Sequence, residues 1–315
     1  MSQYCRSLIT ILMLFSATIV EAQSLQAFSV NVFREDPAMV IGRQKGFFAA
    51  EKLDVKVIRT ANSTDQMRGL SNGTFQLVST AFDNVLGWSG REGAEIVAVA
   101  QIIDSAIFPV LVRPDIKGWN DLKGKRLAVD AVDTAFALVL RRILLDKGLD
   151  FTRGDYQLIP VGSSGQRLDS LRKGDTVAAI LNPPQDSQAT DAGMVRLGDS
   201  RDVLPKFPNT LFAANRATAQ SQRTQTVGFL RAWLASLRWM RANTAEAQQL
   251  VETELKVNPK IAASMIEEMT RTGAIDPASL ELALQLRNQF GLTPKMGPDI
   301  NRYYDAQYYD AAAGR

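Results

Sequence analysis

The sequence predicts an α/β protein of two lobes with a cleft between them, and three observations carry that expectation. Strand-like and helix-like stretches alternate from residue 28 to residue 101, and the alternation restarts at residue 108. The chain of 315 residues suits two units of about 150 residues each. Hydrophobic residues make up 46%, enough to build a core in both. Alternation of this kind gives largely parallel sheets covered by helices on both faces.

The first set opens with a strand over 28–33, where Val30, Val32 and Phe33 gather. A helix follows: Asp36 is a favourable N-cap, Pro37 suits the first helical position, Met39, Val40 and Ile41 give an apolar side, and Gly46 allows a left-handed stop. Strands over 55–58, 75–79 and 95–101 and a short helix over 65–71 complete the set, with Asn72-Gly73 as a turn. In the second set, strands are predicted over 108–112, 126–129, 156–161, 177–181 and 194–197. A connector covers 115–122, and helices cover 135–147, 166–173 and 184–192, closed by Gly148, Gly174 and Gly193. From Thr224 the chain reads as helical. Val227, Leu230, Leu234 and Leu237 recur at helical spacing beside Trp233 and Met240, a stripe best explained by core packing, and periodic stretches follow over 245–255, 259–271 and 277–290. Tyr303, Tyr304, Tyr308 and Tyr309 mark a tail expected to pack on the surface, away from any binding site.

Composition narrows the function. The formal net charge of +3 is spread along the chain without a dense basic block, so no nucleic-acid footprint is expected. Residues 1–22 read as a cleaved secretory signal: Arg6, an apolar run over 8–20, then Val20-Glu21-Ala22 before Gln23. Cys5 precedes that apolar run, where a lipid attachment cysteine would follow it, and the remainder has no cysteine and thus no disulfide. Histidine is absent throughout, which removes the commonest general base and metal ligand.

Several phrases, in order, carry a resemblance. They are Gly46-Phe47-Phe48-Ala49-Ala50-Glu51-Lys52-Leu53-Asp54-Val55, Leu70-Ser71-Asn72-Gly73-Thr74-Phe75-Gln76-Leu77, Asp121-Leu122-Lys123-Gly124-Lys125-Arg126-Leu127-Ala128-Val129 and Ala178-Ala179-Ile180-Leu181-Asn182-Pro183-Pro184. Together they resemble bacterial substrate-binding proteins of the type 2 periplasmic binding fold that serve ABC importers, in the branch handling nitrate, sulfonates, taurine and thiamine-type pyrimidines. The resemblance implies lobe 1 over 23–107, lobe 2 over 108–207, and a return to lobe 1 over 208–315 after a crossover near 207–211, with the C-terminal helices mainly on lobe 1.

Ligands of open α/β sheets bind beyond the carboxyl ends of the strands, so the strand-to-helix loops supply the candidate residues. In the first loop, Phe33, Arg34 and Glu35 precede Asp36. Arg34 can hold an anionic group or pair locally with Glu35 or Asp36. Ser79, Thr80, Ala81 and Asp83 form the next loop, which the resemblance makes a ligand-binding element, although Asp83 also suits an N-cap. In lobe 2 the matching loop, Asp130 to Phe136, offers Asp133, Thr134, Ala135 and Phe136. It departs from the family's glycine-rich turn, with no glycine between Lys125 and Gly148, and Asp133 would favour a donor-bearing or cationic group on the ligand. Ser163 offers a hydroxyl or a helix cap, Asn182 a side-chain amide or a turn, and Ser105 completes the ligand-binding set. Gly162 to Gly165 lacks the lysine and spacing of a phosphate-binding loop.

The expected function is capture of a small organic solute with an apolar or aromatic body and a polar end. A monomeric periplasmic protein would deliver it to an ABC permease and its ATPase, without cofactor, metal or catalysis. A ligand receptor for a sensor or other assembly needs the same cleft. A thiamine-pyrimidine synthase-like enzyme would need the histidine and cysteine-rich motif that this chain lacks.

Overall fold

The structure is a computed structural model that describes residues 24–60, 62–104, 107–208 and 210–315. The expected signal segment and Ser105 lie outside the described residues. The first sheet is begun by β1 (Gln26–Val32), β2 (Leu53–Arg59), β3 (Leu77–Ala81) and β4 (Ile96–Gln101). The chain then crosses to a second sheet of β5 (Pro109–Val112), β6 (Arg126–Val129), β7 (Gln157–Pro160), β8 (Ala178–Ile180) and β9 (Val195–Asp199), and returns to the first with β10 (Thr210–Asn215).

Both sheets have five strands, ordered β2-β1-β3-β10-β4 and β7-β6-β8-β5-β9. They share one plan, in which a single strand is reversed: β10 runs antiparallel to β3 and β4, and β5 antiparallel to β8 and β9. Each reversed strand is the one entered directly from the other lobe. The remaining strands are parallel, with β1 pairing β2 from Gln26 opposite Leu53 to Val32 opposite Arg59.

Helices α1 (Pro37–Gln44), α2 (Phe47–Ala50), α3 (Ser63–Ser71) and α4 (Phe82–Trp88) accompany the first sheet, and α5 (Ala135–Asp146), α6 (Ser164–Lys173) and α7 (Gln185–Asp191) the second. The C-terminal part adds α8 (Arg216–Ser221), α9 (Arg223–Ala242), α10 (Thr244–Leu255), α11 (Pro259–Glu268), α12 (Pro277–Gln289) and α13 (Gln307–Ala313). Asp36 caps α1 as expected, its carboxylate accepting from Met39 N at 3.0 Å, and Gly46 follows with φ +74°.

One face of the first sheet buries Phe28 of β1 and Phe212 of β10 against α1 and against Phe229 and Trp233 of α9. Phe229 stacks on Phe28 at 5.2 Å and Phe48 at 5.1 Å, which accounts for the apolar stripe of α9 as core. The opposite face belongs to a cluster that continues into the second lobe: Phe82, Val85 and Leu86 of α4, Leu280, Ala283 and Leu284 of α12, and Leu138 of α5 lie in one core. Helix α12 therefore sits across the lobe boundary, while α9, α10, α11 and α13 pack in the core of the first sheet. The tail packs on the edge of the first sheet, closely enough to bury most of its tyrosines. Tyr303, Tyr308 and Tyr309 are buried, and Ala98 N donates to Tyr303 O at 2.9 Å while Asp305 N donates to Ala98 O at 2.8 Å. The edge strand β4 would otherwise leave backbone groups unpaired, and the tail covers it.

Candidate functional site

The loops at the carboxyl ends of the parallel strands touch across the boundary in two places. In the first, Arg34 of the β1–α1 loop donates through Nη1 to Pro183 O at 3.4 Å, beyond the end of β8 in the other lobe. Its Nη2 lies 3.9 Å from Glu268 Oε2 at the end of α11. Desolvation lowers the Arg34 guanidinium below its ordinary value, countered by Glu268, Asp36 and Asp186, and burial raises the Glu268 carboxyl. The local ion pair of Arg34 with Glu35 does not form, because Glu35 is buried against Arg43 of α1 in a two-pronged contact of 2.9 and 3.1 Å. Phe33 remains 42% exposed at the mouth.

In the second, Arg287 of α12 donates through Nη1 to Asp83 Oδ1 at 2.8 Å and to Asp133 O at 3.2 Å, so one guanidinium holds the β3 and β6 loops together. Asp83 is 1% exposed, and burial pushes its carboxyl up to about 6 although Arg287 opposes the shift. Asp83 does not cap α4, because that place belongs to Ala81 and Asp83 lies inside the first turn. Its buried carboxylate is taken by Arg287 rather than left open to a solute. Asp133 enters this contact by its backbone carbonyl and its side chain is exposed. Ser79 and Thr80 are buried beneath: Gln66 Nε2 donates to Ser79 O at 3.2 Å, and Asn84 Nδ2 to Thr80 Oγ1 at 2.8 Å.

The remaining second-lobe residues gather around Arg167 of α6. Ser163 caps α6 in a reciprocal box, with its N–H donating to Gln166 Oε1 at 2.9 Å. Gly162 takes φ +99°, and a Cβ there would come within 2.5 Å of the same Gln166 oxygen. Thr134 stands at the N-cap position of α5, but its hydroxyl turns to Asp130 Oδ1. Ala135 is buried, Phe136 lies 4.6 Å beneath the Arg167 guanidinium, and Asn182 is half-buried with its backbone N–H on Ser164 Oγ at 3.2 Å.

Arg167, Arg287 and Glu268 were not among the sequence candidates. The two arginines had a signal: Arg167 continues the spacing of Ser164, Leu168 and Leu171, and Arg287 that of Leu280, Ala283 and Leu284, so each puts a charge on an apolar helix stripe. Glu268 had none, since only the fold brings α11 to Arg34. Among the described residues no group of three or more His, Cys, Asp or Glu side chains is placed to hold a metal ion, and no helix is long and apolar enough to cross a membrane.

The comparisons with known proteins agree with this architecture. The family described as NMT1/THI5 like matches residues 37–247. A formylaminopyrimidine-binding protein of Halalkalibacterium halodurans is 22% identical over 222 residues, covering 68% of this chain and 65% of the relative, so the match spans just under two thirds of that protein's length. Among solved structures, the periplasmic nitrate-binding protein of Synechocystis PCC 6803 superposes with a TM-score of 0.77 at 13% identity, covering 92% of this chain and 89% of that one. The periplasmic aliphatic sulphonate binding protein of Escherichia coli gives 0.70 at 18% identity, covering 90% and 93%. A desulfurization enzyme shares the fold at a TM-score of 0.63 and 13% identity, covering 91% of this chain and 99% of its own. Two sheets of one strand plan, joined by two crossovers, are the periplasmic binding fold, and with the family match across most of its length the chain belongs to the NMT1/THI5-like family.

Proposed function

We propose that the chain is a periplasmic solute-binding protein that captures a small organic molecule between its lobes and delivers it to the permease and ATPase of an ABC importer. The observation that carries this reading is the meeting of strand-end loops from both lobes, Arg34 with Pro183 on one side and Asp83 with Asp133 through Arg287 on the other. Loops that touch across a two-crossover boundary can part and re-form by hinge motion, which is what capture requires. The residues left for the solute are Phe33, Arg34, Thr134, Phe136, Ser163 and Asn182. They suit a ligand with a flat or apolar body and a polar end, and Asp130 joins them as an acceptor. Similar proteins named for a formylaminopyrimidine, an aliphatic sulphonate and nitrate define the compounds to try first. Catalysis on this fold, as in the desulfurization enzyme, is disfavoured by a chain without histidine whose only cysteine is Cys5.

A thermal-shift series of the monomeric protein without residues 1–22 tests this with a formylaminopyrimidine, ethanesulfonate and nitrate. A ligand at 100 times its Kd adds about 2.7 kcal/mol to stability, a shift of several degrees. The reading expects stabilisation by one organic compound, recovered chemically unchanged. Conversion of that compound on stoichiometric incubation would overturn it in favour of an enzyme.

A further inference from the structure

Arg167 is 1% exposed, yet among the described residues every direct acceptor of its guanidinium is neutral. Nε donates to Ile180 O at 2.9 Å at the end of β8, Nη1 to Gly162 O at 2.7 Å in the loop after β7, and Nη2 to Ser164 Oγ at 2.8 Å. Ser164 Oγ in turn accepts Asn182 N–H at 3.2 Å, which ties the loop after β8 to the start of α6. The face of the guanidinium lies over Phe136, in the first turn of α5 after the loop that follows β6. The carboxylate that acts on its charge is Asp130, just past the end of β6, which takes the Thr134 hydroxyl. Phe136 packs edge-on against Phe108 at 5.4 Å, and Phe108 against Phe207 at 5.9 Å. Phe108 and Phe207 belong to the two segments that cross between the lobes.

We infer that Arg167 is the positioning residue of the second lobe's binding face: one buried guanidinium sets the loops after β6, β7 and β8 against one another and connects them through Phe136 to the crossovers. A planar fork of donors is what this task needs, since a lysine offers one point charge and cannot span acceptors on separate loops while stacking on a ring. The consequence is a half-site formed before the solute arrives, which spares the ordering cost on binding. The effect on solute affinity rests on the solute-binding reading; the setting of the loops does not.

Hydrogen exchange of the chain without residues 1–22 separates the two. In Arg167→Met, with β6 and β8 still protected, amides over 130–136, 160–166 and 180–184 should exchange about five-fold faster together, the change expected when a contact worth about 1 kcal/mol is lost from each loop, namely the stack on Phe136 and the hydrogen bonds to Gly162 O and Ile180 O. Arg167→Lys should not rescue them. Acceleration confined to 162–168 would reduce Arg167 to a brace of its own helix and overturn the inference. If Arg167→Met does not fold, Ser164→Ala serves, since it removes only the acceptor shared by Arg167 and Asn182. It should free 160–166 and 180–184 and leave 130–136 unchanged, and unchanged exchange in all three would overturn the inference. Whichever of the formylaminopyrimidine, ethanesulfonate and nitrate binds the parent should bind Arg167→Met at least about ten-fold more weakly. Equal affinity alongside loosened loops would contradict positioning. Should none of the three bind the parent, the choice of solute fails while the exchange data still decide the role of Arg167.

Discussion

Asp36 shows how one residue can be legible in part. Its place as N-cap before Pro37 follows from sequence, but the cost of that place does not. Trp233 Nε1 also donates to Asp36 Oδ1 at 3.2 Å, while among the described residues Oδ2 is buried without a hydrogen-bond partner. Burial pushes the carboxyl up to about 6. A folded-state value above the unfolded one, near 4, means the folded protein binds the proton more tightly. Stability from this group is therefore greatest below about pH 4 and is lost as pH rises through 6. Asp36→Asn keeps an acceptor for Met39 and Trp233 and removes the titration. Urea melts at pH 5 and pH 8 should show a smaller pH difference in the variant, by on the order of 1–2 kcal/mol. An equal difference in both proteins would contradict a strained carboxylate.

Asp83 suits a ligand contact or a cap by sequence, but its partner lies 204 positions away at Arg287, where no local pattern could reveal it. Removing one member of a buried pair leaves the other charged and unpaired, so Asp83→Ala should cost about 3–5 kcal/mol. Asp83→Ala with Arg287→Met should recover much of that in a double-mutant cycle. Additive losses would mean that the contact carries no coupling.

Among the elements, the sequence displays most of what local chemistry decides. The α1 cap, the Gly46 stop and the strands at β4 and β6 follow from capping, left-handed glycine and β-rich runs. The direction of β5 and β10 is not local, because it depends on which lobe the chain arrives from. The tyrosine-bearing tail is likewise settled by the edge strand it covers. Helix α12 is the element with the widest reach, packing against α4 of one lobe and α5 of the other, and Phe290 just past its end lies 4.0 Å from the Arg141 guanidinium of α5. Leu284 is fully buried in that shared cluster. Leu284→Ala should cost about 2–5 kcal/mol and shift a single unfolding transition for both lobes. Two separated transitions in the parent protein would show that α12 does not join the lobes energetically.

For the whole molecule, the two-lobed plan was apparent in the restart of the βα pattern at residue 108, and the loops that line the boundary were apparent from strand ends. Hidden were the arginines from helices that hold those loops, because a charge on an apolar stripe names no partner. The boundary is asymmetric. On the α4, α5 and α12 side it is continuous core, whereas on the Arg34 side it rests on a 3.4 Å hydrogen bond from Arg34 to Pro183 O. Opening should therefore occur on the Arg34 side. The most direct test places spin labels at Lys56→Cys in β2 and Asp169→Cys in α6 of the protein lacking residues 1–22, and measures their separation with and without the compound that stabilises it. Capture between the lobes predicts a broad distribution that narrows and shortens when the compound saturates the protein. An identical distribution in both states would contradict closure of the lobes on the solute.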